Sequence, residues 1–417
     1  MPRPKLSAKQ LSLLLEIVSQ QTAPFREHRV AAVVKRALTE GLVPFFEDPA
    51  GNIVVGVPSR AAYARLVREK SREPVRLYMA HMDHPGFHGL SWIAADRLKV
   101  RWHGASSVKR LIGAPVWIAM AGKSEVGGRI AAVKLARSGR GIDTAEIRID
   151  STFRPRNAAG TLFGGFRFRS PAWTIGNRLY TRAADDLVGV FSIVSTAVRF
   201  CSRRRRGPSP PFIGLLTRAE EVGFIGAIAH FDLGWLTRAG RPIICVSLET
   251  SRTLPGAAIG RGPVVRLGDR QTVFDPGETA VLSSAAEKTL GKNHQRRIMD
   301  AGTCEATAAL AFGFPAVGIS VPLGNYHNQS LEGGPDSRGP GGPAPEFVDL
   351  RDVAGEIALC AALLKPDLPW ANPWRALKET LRKRFSRYSH LLSSQMRESV
   401  QPSALSAKRK HGTCRTF

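Results

Sequence analysis

Cysteine is scarce in this sequence and poorly placed for cross-linking. The five cysteines, Cys201, Cys245, Cys304, Cys360 and Cys414, are odd in number and scattered. No pair has the spacing of a metal knuckle or a redox motif, which argues against a disulfide framework and favours a reducing compartment. Long apolar runs are missing too, so no segment reaches the length of a membrane-spanning helix. The first residues, MPRPKLSAKQLSLLLEIVSQ, are basic and then apolar, but Glu16 and Gln20 interrupt the run and no small-residue cleavage site follows. They read as an amphipathic first helix and not as a secretory signal, and the expected location is cytoplasmic. No internal repeat is visible.

Acidic residues are also in short supply: 34 against 60 Lys and Arg, a formal net charge of +26. Such an excess suits nucleic acid or an anionic surface. The basic residues are spread along the chain, however, which favours a solvated Arg-rich surface over a dedicated nucleic-acid face. Two concentrations stand out. One is Arg203 to Arg206; the other is the segment after Trp370, with eleven Lys and Arg against two Glu.

What the chain does have is length and a regular alternation of elements. Its 417 residues can bury a large core in two domains. Apolar residues at helical spacing in SAKQLSLLLEIVSQ and EHRVAAVVKRALTEG predict two helices, the second stopping at Gly41. A strand pair follows around the turn from Asp48 to Asn52, then a strand in VRLYMAHMD. Over 89–174, short β-like segments such as RLKVRWHG and APVWIAMAG alternate with glycine turns, which predicts an inserted, small β-barrel-like domain. From Asn177 onward, strands alternate with helices, as a mostly parallel sheet requires. The expected fold is therefore α/β with a mixed, mostly parallel sheet. Residues 1–88 and 175–368 form a discontinuous main domain, 89–174 the inserted β domain, and 369–417 a basic C-terminal extension with one helix.

In open α/β sheets, ligands bind beyond the carboxyl ends of the strands. His81 and Asp83 end VRLYMAHMD, Asp185 and Asp186 end RLYTRAADD, and Glu220 and Glu221 end FIGLLTRAEE. Glu249 ends PIICVSLET, and His327 ends the strand in PAVGISVPLGNYHN. Carboxylates gathered on one edge repel one another without a cation. Histidine with carboxylate oxygens suits zinc or a similar dication, and this many donors suit two. The adjacent Glu220 and Glu221 then divide the work, one holding metal and the other acting as a free base beside it. Spacing alone leaves the order open. Asp186 has a plain structural use at a helix N-terminus, and His84 and His88 read as pocket wall or as residues standing behind the metal ligands. Cys304 and Glu305 read as cap and packing of the helix they open.

The motifs 81-HMDHPGF-87, 183-AADDLVG-189, 217-TRAEEVGFIGA-227, 246-VSLET-250, 261-RGPVVRLGD-269 and 321-VPLGNYHN-328 resemble, in order, those of metallopeptidase family 42. These are the glutamyl and tetrahedral aminopeptidases, some of them named endoglucanases. The resemblance implies a zinc-exopeptidase-like α/β/α sandwich with a β-rich insertion, two zinc or cobalt ions, and release of N-terminal residues from peptides. It implies that His81 and Glu249 bind one metal, Glu221 and His327 the other, and Asp185 both. It further implies that Asp83 orients His81, that Glu220 is the general base, and that the chain assembles into a homo-oligomer through the β insertion. Glu249 stands where the family has Asp. His84-Pro85 replaces an acidic residue, Leu187 replaces Arg, and the Gly/Pro loop after His327 is long; these departures bear on the substrate pocket. Two alternatives stay open on the residues themselves: a deacylase acting on a non-peptide amide, and a non-catalytic binding protein with a nucleic-acid- or membrane-associated basic tail.

Overall fold

The computed structural model describes residues 3–119, 125–139, 141–150, 158–202, 211–366 and 368–398. The run from Arg203 to Arg206 and Cys414 lie outside them. The chain divides into two units, 1–371 and 372–417.

The first unit opens with α1 (Ala8–Val18) and α2 (His28–Glu40), followed by β1 (Phe45–Glu47), β2 (Ile53–Val55), α3 (Arg60–Arg68) and β3 (Val75–His81). Ser7 starts α1 with a reciprocal capping box to Gln10, which satisfies two end groups of the helix. The hairpin predicted around Asp48 is present, with Glu47 opposite Ile53.

Six strands then close a barrel: β4 (Gly86–Ala94), β5 (Arg97–His103), β6 (Pro115–Ala119), β7 (Glu125–Leu135), β8 (Ile142–Ile149) and β9 (Phe163–Phe166). Alternation drives this closure. In β5, Leu98, Val100 and Trp102 point into the barrel core while Lys99 and Arg101 face out.

After the barrel come β10 (Ala172–Ile175), β11 (Arg178–Thr181), α4 (Leu187–Ser202), β12 (Phe212–Thr217) and α5 (Ile225–Asp232). The order continues with β13 (Ile243–Arg252), β14 (Val264–Asp269), α6 (Pro276–Leu290), β15 (Gln295–Met299), α7 (Glu305–Ala311), β16 (Ala316–Leu323), β17 (Glu346–Asp349) and α8 (Leu350–Leu363). The main sheet has eight strands in the order β1-β2-β12-β3-β13-β16-β14-β15. Its centre, β12-β3-β13-β16, is parallel, while β1, β2 and the β14–β16 pairing make the sheet mixed. Both faces are covered, which is why β3, β12 and β16 are buried at every residue. One core cluster packs α1, α2, α4, α6 and α8 on one face, and another packs α3, α5 and α7 on the other. The result is a three-layer α/β/α body.

One expectation needs correction. RLYTRAADD does not supply a strand of the main sheet. Its strand, β11, pairs antiparallel with β10 and β17 in a separate three-stranded sheet. Hydrophobic pattern alone cannot tell which sheet a short strand joins.

The second unit holds α9 (Arg375–Glu398).

Candidate metal centre

The four parallel strands at the middle of the sheet carry the site. His81 is the last residue of β3, Glu220 and Glu221 follow β12, Glu249 lies in β13, and His327 follows β16. Asp185 arrives from the side, on the loop between β11 and α4. Both loops that follow parallel strands are forced into unusual backbone. After β12, Ala219 and Phe224 have φ of 53° and 61°; after β16, Asn325, His327 and Asn328 have 56°, 54° and 55°. Non-glycine residues adopt this region only when their surroundings require it, and such outliers gather at functional sites. Gly226 explains the small-residue run after the paired glutamates. A Cβ there would meet Arg218 N at 2.5 Å and Asn52 Oδ1 at 2.5 Å.

Buried hydrogen bonds hold these loops together. The Asp83 carboxylate accepts from the backbone N–H of Glu220 at 3.0 Å and of Glu221 at 3.2 Å. It therefore ties the β12 loop to the end of β3. His81 Nδ1 lies 3.1 Å from the Asp83 backbone carbonyl and 3.5 Å from its carboxylate. The backbone carbonyl is thus the nearer partner orienting the ring. Asp186 Oδ1 accepts from Gly189 N–H at 3.1 Å, so it serves the start of α4 while its neighbour Asp185 faces the cluster.

His81 Nε2 stands 3.6 Å from Asp185 Oδ1, 3.7 Å from Glu220 Oε2 and 3.7 Å from Glu249 Oε1. His327 Nε2 stands 3.5 Å from Asp185 Oδ2 and 3.3 Å from Glu221 Oε2. The two oxygens of Asp185 therefore face different imidazoles. Contacts of 3.6–3.7 Å are too long for hydrogen bonds. They match the separation of about 3.3 Å or slightly more between donors that each sit about 2.0–2.2 Å from one tetrahedral ion. Three donor groups could each hold a cation: His81 with Asp185 and Glu249, Asp185 with Glu221 and His327, and His81 with Glu220 and Glu221. Buried polar atoms without hydrogen-bond partners include His81 Nε2, Asp185 Oδ1, Glu221 Oε1 and Glu249 Oε2. Buried orphans of this kind are costly unless an ion satisfies them. The residues fit a divalent metal.

The electrostatics agree. Burial pushes Glu220 well above the usual carboxylate range, reinforced by Glu249 and Glu221 and opposed by His81. Burial and Asp185 push Glu249 up to about 8. Burial would lower both imidazoles. Instead Glu220 and its neighbours hold His81 high, and Glu221 and Asp185 hold His327 high. A cluster with this many carboxylates needs positive charge, and in its absence protons must supply it.

Two supporting residues, Glu346 and Arg266, escaped the sequence reading, and His84, which it named, supports the site as well. Glu346, at the start of β17, accepts from Ala184 N–H at 2.7 Å and Asp185 N–H at 3.1 Å through one oxygen, and from His327 N–H at 2.8 Å through the other. It clamps two donor loops at once. Arg266 on β14 is buried, with its guanidinium 3.9 Å from Glu249. His84 Nδ1 contacts the Asp185 carbonyl at 2.7 Å. Of the two places the sequence left open for His84, this contact puts it behind Asp185. Glu346 sits beyond a Gly/Pro loop with no motif around it. His88 is in the barrel, 2.8 Å from the Pro24 carbonyl and away from the cluster.

The cluster opens into a cleft of about 650 Å³ between the strand ends and the barrel. Glu220, Glu221 and His327 line it from the cluster side, and Ala105, Ser106 and Val108 from the barrel side. The long Gly/Pro loop braces this arrangement. Its Arg338 donates to carbonyls of Arg110 and Ile112 at 3.2 and 3.1 Å, and Ser107 Oγ donates to Gly341 O at 2.7 Å. His84, Pro85 and Leu187 are absent from the cleft lining. Leu187 is instead buried in the main core. These departures from the family pattern therefore fall behind the site.

Solved structures share this architecture. The TET1 peptidase of Pyrococcus horikoshii, described as assembling into a tetrahedron or a large octahedral shell, is 19% identical; the match covers 86% of this chain and 99% of that one, with a TM-score of 0.65. An aminopeptidase from the archaeon Desulfurococcus kamchatkensis is 21% identical over 88% and 98% of the two chains, with a TM-score of 0.66. A Thermotoga maritima protein named an endoglucanase matches at 19% identity over 86% and 99%, with a TM-score of 0.59. No curated protein sequence matches. The class defined by fold and site is that of the metal-dependent aminopeptidases. The profile of the M42 glutamyl aminopeptidase family matches residues 63–331, and the chain belongs to that family.

Proposed function

We propose that this aminopeptidase works with two divalent ions, zinc in the first instance, and that Asp185 is shared between them. The observation that carries this reading is the split of its carboxylate, with Oδ1 toward His81 and Oδ2 toward His327. His81 and Glu249 would complete one set of donors and Glu221 and His327 the other, with Asp83 holding the loop and ring in place. Bound dications supply Lewis acidity to a scissile carbonyl and to an attacking water. Glu220 would take the proton of that water and deliver it to the leaving amine, the work of a general base and then a general acid. Its place in the cleft wall and its raised proton affinity support that role. The substrate is a peptide, and hydrolysis frees its N-terminal residue. Arg252 and Arg270 also line the cleft and give it cations that suit an acidic residue there. We further propose a homo-oligomer assembled through the barrel as an inserted domain, by analogy with the Pyrococcus horikoshii shells. A cytoplasmic setting suits the free thiols Cys201, Cys245, Cys304 and Cys360.

Elemental analysis of protein reloaded with zinc tests the centre. About two ions per chain are expected, with loss of metal in Asp185→Ala. A metal content unchanged by that substitution would overturn the shared role of Asp185. A panel of aminoacyl amides, peptides and N-acyl amino acids separates aminopeptidase from deacylase.

A further inference from the structure

Among its described residues the second unit holds α9, and no residue of α9 is among the candidate metal donors. Trp374, Leu377, Leu381, Phe385, Tyr388 and Leu392 recur at spacings of three and four residues, which places them on one face of the helix. That face is exposed. Leu381 is 50% accessible, Phe385 64% and Leu392 66%. Lys378 and Arg382 flank the stripe on one side, and Arg384 and Arg387 on the other. Between 375 and 392 the only acidic residue is Glu379, against six Lys and Arg.

We propose that α9 is a docking element for an anionic lipid surface. It would lie in the plane of the interface with its Leu/Phe/Tyr face among the acyl chains and its flanking cations at the headgroups. An amphipathic helix with basic residues bordering an apolar stripe has the form required for this. The long Lys and Arg side chains can lay their aliphatic stems along the interface while their charges reach phosphate. Charge decides against a second copy, and the exposed apolar face decides against nucleic acid. Pairing α9 with a second copy would set cationic flanks against cationic flanks with one glutamate per helix to offset them. Nucleic acid would use the cations but leave the exposed aromatic and leucine face in water. No described helix is long and apolar enough to cross a membrane, so attachment would be peripheral.

The test is co-sedimentation of the full chain with vesicles of pure phosphatidylcholine and with vesicles also containing phosphatidylglycerol. Binding to the anionic vesicles is expected to be about tenfold stronger or more, and to weaken as salt is raised. Leu381→Asp with Phe385→Asp should abolish binding. Arg382→Gln with Arg384→Gln should remove the preference for anionic lipid. Aminopeptidase activity in solution should be unchanged in both, which shows that the body is folded. Failure of the wild-type chain to sediment, or equal partition into both vesicle types, overturns the proposal. So does a change in oligomer size in the Asp variant alongside its loss of binding, which would make α9 a contact between copies. Binding of double-stranded DNA that persists in the Asp variant and outcompetes vesicles would assign the surface to nucleic acid instead.

Discussion

Glu356 lies on α8 with its carboxyl buried against α4, where Ser192 Oγ donates to it at 2.7 Å. Burial pushes its pKa from 4.5 up to about 8, with the Ser192 hydrogen bond working against the shift. In that window the folded chain keeps a proton that the unfolded chain has lost, so stability falls as pH rises from the lower value to the upper. Glu356→Gln, which keeps an acceptor but carries no charge, should flatten this slope. It should gain up to about 3 kcal/mol over the wild type at neutral pH. Denaturant unfolding of both proteins at about pH 5 and about pH 7.5 measures the difference. At the reacting centre, Glu220→Gln should lower kcat by about a hundredfold to ten-thousandfold while zinc content stays at its wild-type level. Loss of metal in that variant would make Glu220 a ligand and leave the base unassigned.

The elements owe their positions to backbone constraints as much as to apolar burial. The turn between β12 and α5 must pass under Asp83 and then pack α5 directly on the backbone of Arg218. Gly226 allows that approach because an added Cβ would meet Arg218 O at 2.6 Å as well as its amide nitrogen. Backbone cannot rotate away as a side chain can. Gly226→Ala should therefore cost about 1–3 kcal/mol, read by thermal unfolding, with weaker zinc retention because the Glu220–Glu221 turn is displaced. The same face of the sheet carries a buried chain from Asp48 through His230 to Tyr63, with contacts of 2.9 and 3.0 Å. It joins the first hairpin to α5 and α3, and so braces the far end of the helix that follows the paired glutamates.

For the whole molecule, the division at residue 371 has a direct consequence. No described core residue lies beyond Trp370. A chain ending at Ala371 should melt within roughly 2 °C of the full chain and keep its peptidase activity, as scanning calorimetry and a peptide assay would show. The net charge of +26 bears on the surface and its partners, and it leaves the fold to the apolar pattern.

The residue types at the strand ends were legible from the chain alone. So were the two glutamates side by side, the parallel core strands and the alternating barrel strands. Each reflects local chemistry or a short repeat along the sequence. The shared role suggested for Asp185 came only through the family resemblance; residue spacing does not carry it, because it depends on two carboxylate oxygens facing histidines from different strands. Nor was its delivery from a second sheet legible, since a four-residue strand carries no mark of its partners. Glu346 was invisible for the same reason. Its value lies in backbone amides at 184, 185 and 327, which every residue but proline possesses and which only the folded chain brings to one carboxylate.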